Sequence, residues 1–154
     1  MTAAIVGPHK SSLGSMDANI MALIAYIGGA ILSFIPFLGY VAWLVPLVIF
    51  FMEKNSTFVK FHAMQSFLLN IVGAILAILI AVISGIALAA ARTADGAFAA
   101  LGTIAFIGVI GTIISLVILV FAIIAIVNAY GYKLYKVPVI GNLAEKFAFK
   151  TPIV

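Results

Sequence analysis

Cysteine is absent from the 154 residues of this chain, and charged residues make up only 8% of it. The absence of cysteine excludes disulfides, thiolate metal sites and cysteine nucleophiles. Only four residues are acidic, against eight lysine and arginine residues. The sequence contains no H-E-x-x-H, no G-x-S-x-G, no phosphate-binding loop and no arginine-rich stripe with interleaved aromatics. We therefore expect no enzyme, no cofactor, no metal and no nucleic-acid partner.

Apolar residues dominate the chain, at 66% of the sequence. Soluble domains average about 45–50% apolar residues and about 25% charged ones. A small folded chain cannot hide so much apolar surface from water, so we expect an integral membrane protein. The first nineteen residues contain no compact apolar segment that ends on a small-residue cleavage site. We therefore expect no cleaved signal peptide, and a first apolar segment that stays as an anchor.

The first apolar stretch would form a helix of about 50 Å if it were continuous, well beyond a hydrocarbon core of about 30 Å. Pro36 and Gly39 provide a break, because proline removes a backbone donor and glycine lets the chain reverse. The pattern predicts two short helices, over 19–35 and 39–53, with Pro46 bending the second. A single kinked and strongly tilted helix is the alternative.

Two long helices follow. Asn55 or Ser56 is the expected N-cap of the third helix, and nothing interrupts the apolar pattern over 57–91. A polar turn then precedes a last helix over 98–132, and the rest of the chain is amphipathic.

These elements predict an all-α integral membrane bundle of four transmembrane helices, in which the first two form a short hairpin and the last two are long. The expected domains are a flexible N-terminal tail over 1–16, a transmembrane four-helix domain over 17–132 and an amphipathic cytoplasmic C-terminal tail over 133–154.

Basic residues set the expected orientation, because lysine and arginine accumulate on the cytoplasmic side of membrane proteins. With four spans only Arg92 lies on the far side, which predicts a multi-pass protein of the plasma or inner membrane with both termini cytoplasmic. A three-span arrangement moves only Lys10 to the far side and stays open. Lysines on the cytoplasmic side attract anionic lipid headgroups. Those expected at headgroup level are Lys54, Lys60, Lys133 and Lys136.

Small residues recur on one face of each long helix. Such stripes let two backbones approach closely in lipid, so we expect these helices to pack against each other, or one stripe to form a homo-oligomer contact. The stripe residues are Gly73, Ala77, Ala81 and Gly85 in the third helix and Gly108, Gly111 and Ser115 in the last.

Polar residues recur every four positions at the start of the third helix, and two asparagines are expected at similar depth in the first and last helices. An unsatisfied polar group in hydrocarbon costs several kcal/mol. These side chains therefore either fix the bundle by hydrogen bonds or form a polar vestibule, a headgroup site or part of a conduit. The expected cluster is Asn19, His62, Gln65, Ser66, Asn70 and Asn128.

The segment FVKFHAMQSFLLN, preceded by PLVIFFMEKNS, resembles the helix start F-V-R-F-(H/N)-A-M-Q-(A/S) of the Tic-twenty-like family. That family is named for the channel component of the chloroplast inner-envelope import machinery, and the resemblance covers roughly 17–146. The chain has no transit segment and carries His62 where the chloroplast members commonly have Asn, which places it with the small prokaryotic members. The matching positions are Phe58, Phe61, His62, Ala63, Gln65 and Ser66, with Tyr130, Tyr135, Pro138, Gly141 and Ala144 near the end.

The resemblance implies a four-span fold and a role in translocation. Together with the composition, it leads us to expect a non-enzymatic component of a membrane assembly or translocation complex, as a homo-oligomer or as a subunit of a larger complex. A self-assembled small pore lined by the polar cluster is the alternative. An enzyme that acts on lipids is a third and less favoured possibility.

Overall fold

The computed structural model describes residues 4–150, which form five helices and two short strands. The elements are β1 (Ala4–Ile5), α1 (Ala18–Leu32), α2 (Val45–Met52), α3 (Thr57–Ala90), α4 (Ala94–Tyr130), β2 (Lys133–Leu134) and α5 (Ile140–Lys150), with 3₁₀ turns at Leu38–Tyr40 and Ala42–Leu44. The prediction of a mostly helical fold is confirmed. The outer ends of the two predicted tails, 1–3 and 151–154, lie outside the described residues.

The chain divides into two compact units. The first unit comprises residues up to Asn70 together with those from Phe121 onward, and the second comprises Ile71–Val120. Both long helices contribute to each unit.

The hairpin of α1 and α2 belongs to the first unit. α1 ends at Leu32, shortly before Pro36, and the chain reverses through the two 3₁₀ turns. Pro46 lies in the first turn of α2, where its missing N–H costs no helical hydrogen bond. Pro46 therefore lies at the start of this helix and does not bend it, and α2 is shorter than the predicted 39–53.

Gly29 allows the two arms of the hairpin to approach each other. A Cβ atom at this position would lie 2.7 Å from the carbonyl oxygen of Ala42, closer than real Cβ atoms come to other heavy atoms. The pair Gly28-Gly29 is therefore explained by packing.

The segment predicted as a flexible N-terminal tail contacts other segments of the chain over its described part. β1 pairs antiparallel with β2, with Ala4 opposite Leu134, so its backbone donors and acceptors find partners on a strand. Further along, the chain turns at Gly14 and Ser15, both of which have positive φ angles. Lys10 and Asp17 then form an antiparallel bridge, and their side chains form an ion pair at 2.7 Å.

The starts of the two long helices are set by side-chain caps. Ser56 Oγ accepts a hydrogen bond from the backbone N–H of Val59 at 3.1 Å, which confirms Ser56 as a cap of α3. Thr93 Oγ1 accepts from the backbone N–H of Gly96 at 3.1 Å. Because this cap comes early, α4 begins four residues before the predicted start.

The core of the first unit surrounds the first turns of α3. Phe58, Val59 and Phe61 are buried there. α1 contributes small side chains and a methionine to the same cluster, and α5 contributes Ala144 and Ala148. The amphipathic pattern of the C-terminal segment thus gives a helix that packs its alanine face inward.

α3 and α4 are the two helices, among the described residues, that are long and apolar enough to cross a membrane. The most apolar stretch of α3 is 0% buried and that of α4 is 11% buried. A core helix of a soluble protein would be mostly buried, so exposure of this kind indicates a lipid environment. α1 and the stretch over Ala42–Met52 are apolar but shorter.

The second unit does not use the small-residue stripes as predicted. Gly111 packs against Ile80, whose Cδ1 atom a Cβ at Gly111 would strike. The other stripe glycines, which have no atom within 4 Å of an added Cβ, are Gly73, Gly85 and Gly108. Exposed stripe residues also include Ala77, Ala81 and Ser115. Most of the stripe surface therefore lies outside the packing of this unit, and the homo-oligomer contact stays a prediction.

Candidate functional site

A buried hydrogen-bond network joins α1 to the start of α3. His62 Nε2 lies 3.2 Å from the carbonyl oxygen of Lys133. Because a carbonyl oxygen only accepts, Nε2 carries the proton, and Nδ1 of the neutral ring is an acceptor. Tyr26 Oη lies 3.1 Å from that Nδ1 and donates to it. His62 is thereby held in one tautomer.

Gln65 completes the network, and both polar atoms of its side-chain amide form hydrogen bonds. Its Nε2 donates to Tyr26 Oη at 2.9 Å and to the carbonyl oxygen of Tyr135 at 3.1 Å. Its Oε1 accepts from the backbone N–H of Val137 at 3.0 Å. We call Tyr26, His62 and Gln65 the polar network. It connects α1, α3 and the segment that follows α4.

The next polar residues of α3 bond to the hairpin. Ser66 Oγ donates to the carbonyl oxygen of Ala25 at 2.8 Å, and Asn70 Nδ2 donates to that of Trp43 at 3.2 Å. The four predicted residues of α3 thus all contact other elements of the first unit.

The two remaining asparagines of the predicted cluster lie elsewhere. Asn19 Nδ2 donates to the carbonyl oxygen of Tyr130 at 3.1 Å, a group at the end of α4 that has no intrahelical donor. Asn128 Nδ2 donates to the carbonyl oxygen of Ile124 in its own helix at 2.8 Å. Neither asparagine bonds to the polar network, so the predicted cluster is divided.

Glu53 is a second polar centre, and sequence reasoning missed it. Its carboxylate accepts from the backbone N–H of Ser12 at 3.0 Å and from the hydroxyl of that residue at 2.8 Å. It also accepts from the backbone N–H groups of Asn55 at 2.9 Å and Ser56 at 3.0 Å, and from the hydroxyl of Ser11. One carboxylate thus ties the N-terminal segment to the start of α3.

These bonds determine the ionisation of Glu53. Burial raises the pKa of its carboxyl group, but the hydrogen bonds from Ser11, Ser12 and Asn55 together outweigh burial and hold the pKa below its ordinary value. Glu53 is therefore ionised at neutral pH despite being 0% exposed.

His9 belongs to the same region, although its segment was expected to be flexible. Its Nδ1 donates to the carbonyl oxygen of Gly7 at 2.8 Å, and its Nε2 lies 2.7 Å from Ser56 Oγ. The ring also contacts the rings of Phe58 and Tyr132. The N-terminal segment thus reaches the cap residue of α3 directly.

Two signals in the sequence point to the missed residues. Tyr26 is an isolated hydroxyl group within the apolar sequence of α1, and a buried tyrosine hydroxyl requires a partner. Glu53 is one of only four acidic residues and stands three positions before the cap residue Ser56.

The four lysines predicted at headgroup level differ in their surroundings. Lys54 and Lys133 are exposed, and Lys136 forms an ion pair with Glu145 at 2.7 Å. Lys60 is only 4% exposed. It lies in the first turn of α3, which the rest of the first unit covers, so it is not presented at a surface as predicted.

Cavities lie along the hairpin. One, of about 550 Å³, is at its tip and is lined by residues between Ser33 and Tyr40. Another, of about 480 Å³, is lined by apolar side chains of α1, α2 and the segment around Leu13 and Met16. A further one, of about 280 Å³, is bordered by Tyr26, Trp43 and Asn70 together with small residues. Within residues 4–150, no group of three or more His, Asp or Glu side chains is placed to hold a metal ion.

The exposed apolar helices α3 and α4 and the hydrogen-bonded first unit define the class of protein as a helical membrane protein. The family model described as the magnetosome magnetite crystal formation protein family, MamF/MmsF, matches residues 17–144. The chain therefore belongs to this family. No curated protein and no solved structure matches the chain.

The resemblance to the Tic-twenty-like family is thereby wrong, because the matching family model is a different one. The structure gives a physical reason for the shared motif. Phe58, Phe61 and Ala63 fill the core, while His62 and Gln65 form the polar network, so the motif describes how a helix start is packed. The translocation role was implied only by this resemblance and is therefore no longer supported.

Proposed function

We propose that this chain is a non-enzymatic component of the magnetosome membrane that takes part in magnetite crystal formation as a subunit of a membrane assembly. The observation that carries the proposal is the family match over 17–144, which includes both exposed apolar helices. The open stripe around Gly73 and Gly85 supports association with other helices, since small residues permit close backbone approach in lipid.

The hydrogen bonds that the buried polar side chains form within the protein support a non-enzymatic role. Both ring nitrogens of His62, the amide of Gln65 and the carboxylate of Glu53 bond to groups of the protein itself. Groups engaged in this way connect elements of the first unit, and a substrate would have to displace those partners.

In the proposed arrangement the membrane is crossed twice, within α3 and α4. Residues 71–90 supply about 30 Å of helix, the thickness of a hydrocarbon core, and Arg92 follows two residues later. α1, with 15 residues, spans only about 22 Å. The hairpin therefore inserts from one side and returns to it. The pairing of β1 with β2 supports placing the N-terminal segment and the segment after α4 on the same side.

The tip of the hairpin carries the side chains suited to such insertion. Phe34, Phe37 and Tyr40 are 87%, 85% and 83% exposed. Adjacent exposed apolar side chains mark surfaces that contact lipid or a partner, and tyrosine concentrates where hydrocarbon meets water. Phe37 has a φ of 67°, an uncommon conformation for a residue with a side chain. Strained residues of this kind cluster at functional positions.

Deletion of the gene from magnetosome-forming cells tests the proposed function. We expect crystals of altered size or shape in the deletion strain, restoration by the intact chain, and a protein that stays with magnetosome membranes after an alkaline carbonate wash. Unchanged crystals, or release of the protein by the wash, would contradict the proposal. Crosslinking in these membranes that yields only monomer would contradict the assembly role.

Single cysteines test the topology, because the chain contains no native thiol. Thr93→Cys, between α3 and α4, is expected to react with an impermeant maleimide from one side of sealed vesicles. Asn142→Cys, in α5, is expected to react only from the other side, and Phe37→Cys from neither. Labelling of Phe37→Cys on the side of Thr93→Cys would instead indicate four spans.

A small pore remains the second candidate, favoured by the cavity of about 280 Å³ beside Tyr26 and Asn70. Ion flux through proteoliposomes that falls on Asn70→Leu, but not on Asn128→Leu, would support it. Equal flux in protein-free liposomes would count against it.

A further inference from the structure

The cavity between α1 and α2 is a groove without polar lining. Its walls come from α1, from α2 and its preceding 3₁₀ turns, and from the segment around Leu13, and every lining side chain is apolar. Its volume of about 480 Å³ falls within the range of small-molecule sites. A polar ligand would lose its hydrogen bonds to water there and gain none. The groove therefore suits a hydrocarbon ligand.

The shape of the groove favours a chain over a compact molecule. Along α1 the lining runs from Met21 to Leu32, eleven residues apart, or about 16 Å of helix. This distance is about half of a hydrocarbon core of about 30 Å, the length of an acyl chain in one leaflet.

One end of the groove adjoins the part of the hairpin that is assigned to the membrane. Leu38 and Val41 line this end and are exposed large apolar residues, and they are close in sequence to Phe37 and Tyr40 of the tip. Val48 also lines the groove and is half-exposed. A hydrocarbon chain can therefore pass from the bilayer into the groove without crossing a polar surface.

We propose that this groove binds one acyl chain of a membrane lipid, lodged between α1 and α2. The proposal rests on the membrane placement of the hairpin given above. It adds a specific lipid site to a protein that otherwise contacts lipid through exposed helix surfaces.

Photocrosslinking in nanodiscs tests the proposal, with a phosphatidylcholine that carries a diazirine in one acyl chain. We expect adducts at Val41 and Val48 to exceed, by fivefold or more, those at the equally exposed Ile75 of α3. As unlabelled phosphatidylcholine is added, the groove adducts are expected to decrease at a lower lipid concentration than the adducts at Ile75. Adducts distributed in proportion to exposure would overturn the proposal.

Val48→Trp is designed to fill the groove, with Val72→Trp on α3 as the matched control. We expect Val48→Trp to lower groove adducts at least fivefold and Val72→Trp to leave them unchanged. Equal adduct yields in both variants would overturn the proposal. If Val48→Trp does not fold, the map of adducts in the unaltered chain decides alone. Failure of the proposed topology is detected separately, by the labelling of Thr93→Cys and Phe37→Cys.

Discussion

Tyr26 Oη lies 3.1 Å from His62 Nδ1 and 2.9 Å from Gln65 Nε2, so one hydroxyl group links α1 to two successive turns of α3. The hydroxyl donates to the first residue and accepts from the second. Both partners are fully buried, and water cannot replace the hydroxyl without a cavity to hold it.

Replacement of Tyr26 by Phe removes this link while keeping the ring. We expect a loss of about 1–3 kcal/mol in the free energy of unfolding, because a buried acceptor on His62 and a donor on Gln65 lose their partner. Thermal unfolding in mild detergent measures it. Tyr40→Phe, at an exposed position of the hairpin tip, is the control and should leave the melting temperature unchanged. Equal melting temperatures for both variants would contradict the role of the network.

Gln65→Leu and Asn128→Leu distinguish a group that joins elements from one that bonds within its own helix. Gln65→Leu leaves the backbone N–H of Val137 and the carbonyl oxygen of Tyr135 without partners, so we expect a cost of about 2–3 kcal/mol or more. Asn128 bonds only to Ile124 of its own helix in the described structure, and its replacement should cost less than about 1 kcal/mol. Thermal unfolding of both variants is the measurement, and the opposite order would contradict the assignment.

Stability should depend on Glu53 in acid. Its pKa in the folded protein lies below the ordinary value, so its stabilising effect is complete above the unfolded pKa of about 4.3 and is lost as the pH falls through the folded pKa. We expect Glu53→Gln to have a lower melting temperature than the unaltered chain at pH 7, and the difference to shrink toward pH 3.

Glu145→Gln is the matched control for that measurement. Its ion pair with Lys136 is partly exposed, and such pairs contribute little to stability. Its melting curve should follow that of the unaltered chain at every pH. A constant difference between Glu53→Gln and the unaltered chain across the range would contradict the proposed ionisation of Glu53.

Gly29→Ala tests the closure of the hairpin. Its Cβ would lie 2.7 Å from the carbonyl oxygen of Ala42. A backbone carbonyl group cannot move aside as readily as the end of a flexible side chain. We expect a loss of about 1–3 kcal/mol. Gly73→Ala, where nothing lies within 4 Å of the added atom, should be neutral or stabilise by up to about 1 kcal/mol. Thermal unfolding measures the stability of both variants. Equal stability would show that the two arms of the hairpin do not approach each other as described.

The helices could be predicted because their signals are local. The apolar runs, the break at Pro36 and the Ser56 cap each depend on residues within one or two turns. The bounds of α3 accordingly fall within one residue of the prediction. By contrast, the hairpin helices are shorter than predicted, because 3₁₀ turns formed in place of a longer second helix.

The candidate site was predictable only in part, because its partners are distant in sequence. Ser12 and Glu53 are 41 residues apart, and His62 and Lys133 are 71 apart. Periodicity along α3 selected His62, Ser66 and Asn70, with Gln65 beside them, as polar groups that need partners. Periodicity does not reveal which residues those partners are. Asn128 was wrongly assigned to the cluster, because its side-chain amide donates to the carbonyl oxygen four residues earlier in its own helix.

The depth of Trp43 tests the central structural claim, that the hairpin enters one face of the membrane without crossing it. Trp43 is the single tryptophan of the chain. It stacks on Phe67 with ring centroids 5.9 Å apart, and its carbonyl oxygen accepts from Asn70, the residue directly before the proposed span of α3.

Fluorescence quenching by phospholipids brominated at successive positions of the acyl chain measures that depth in proteoliposomes. We predict the strongest quenching of Trp43 by bromine near the headgroup and a steady decline toward the chain end. Strongest quenching by bromine at the chain end, or no quenching by any of the lipids, would contradict a hairpin seated at the membrane interface.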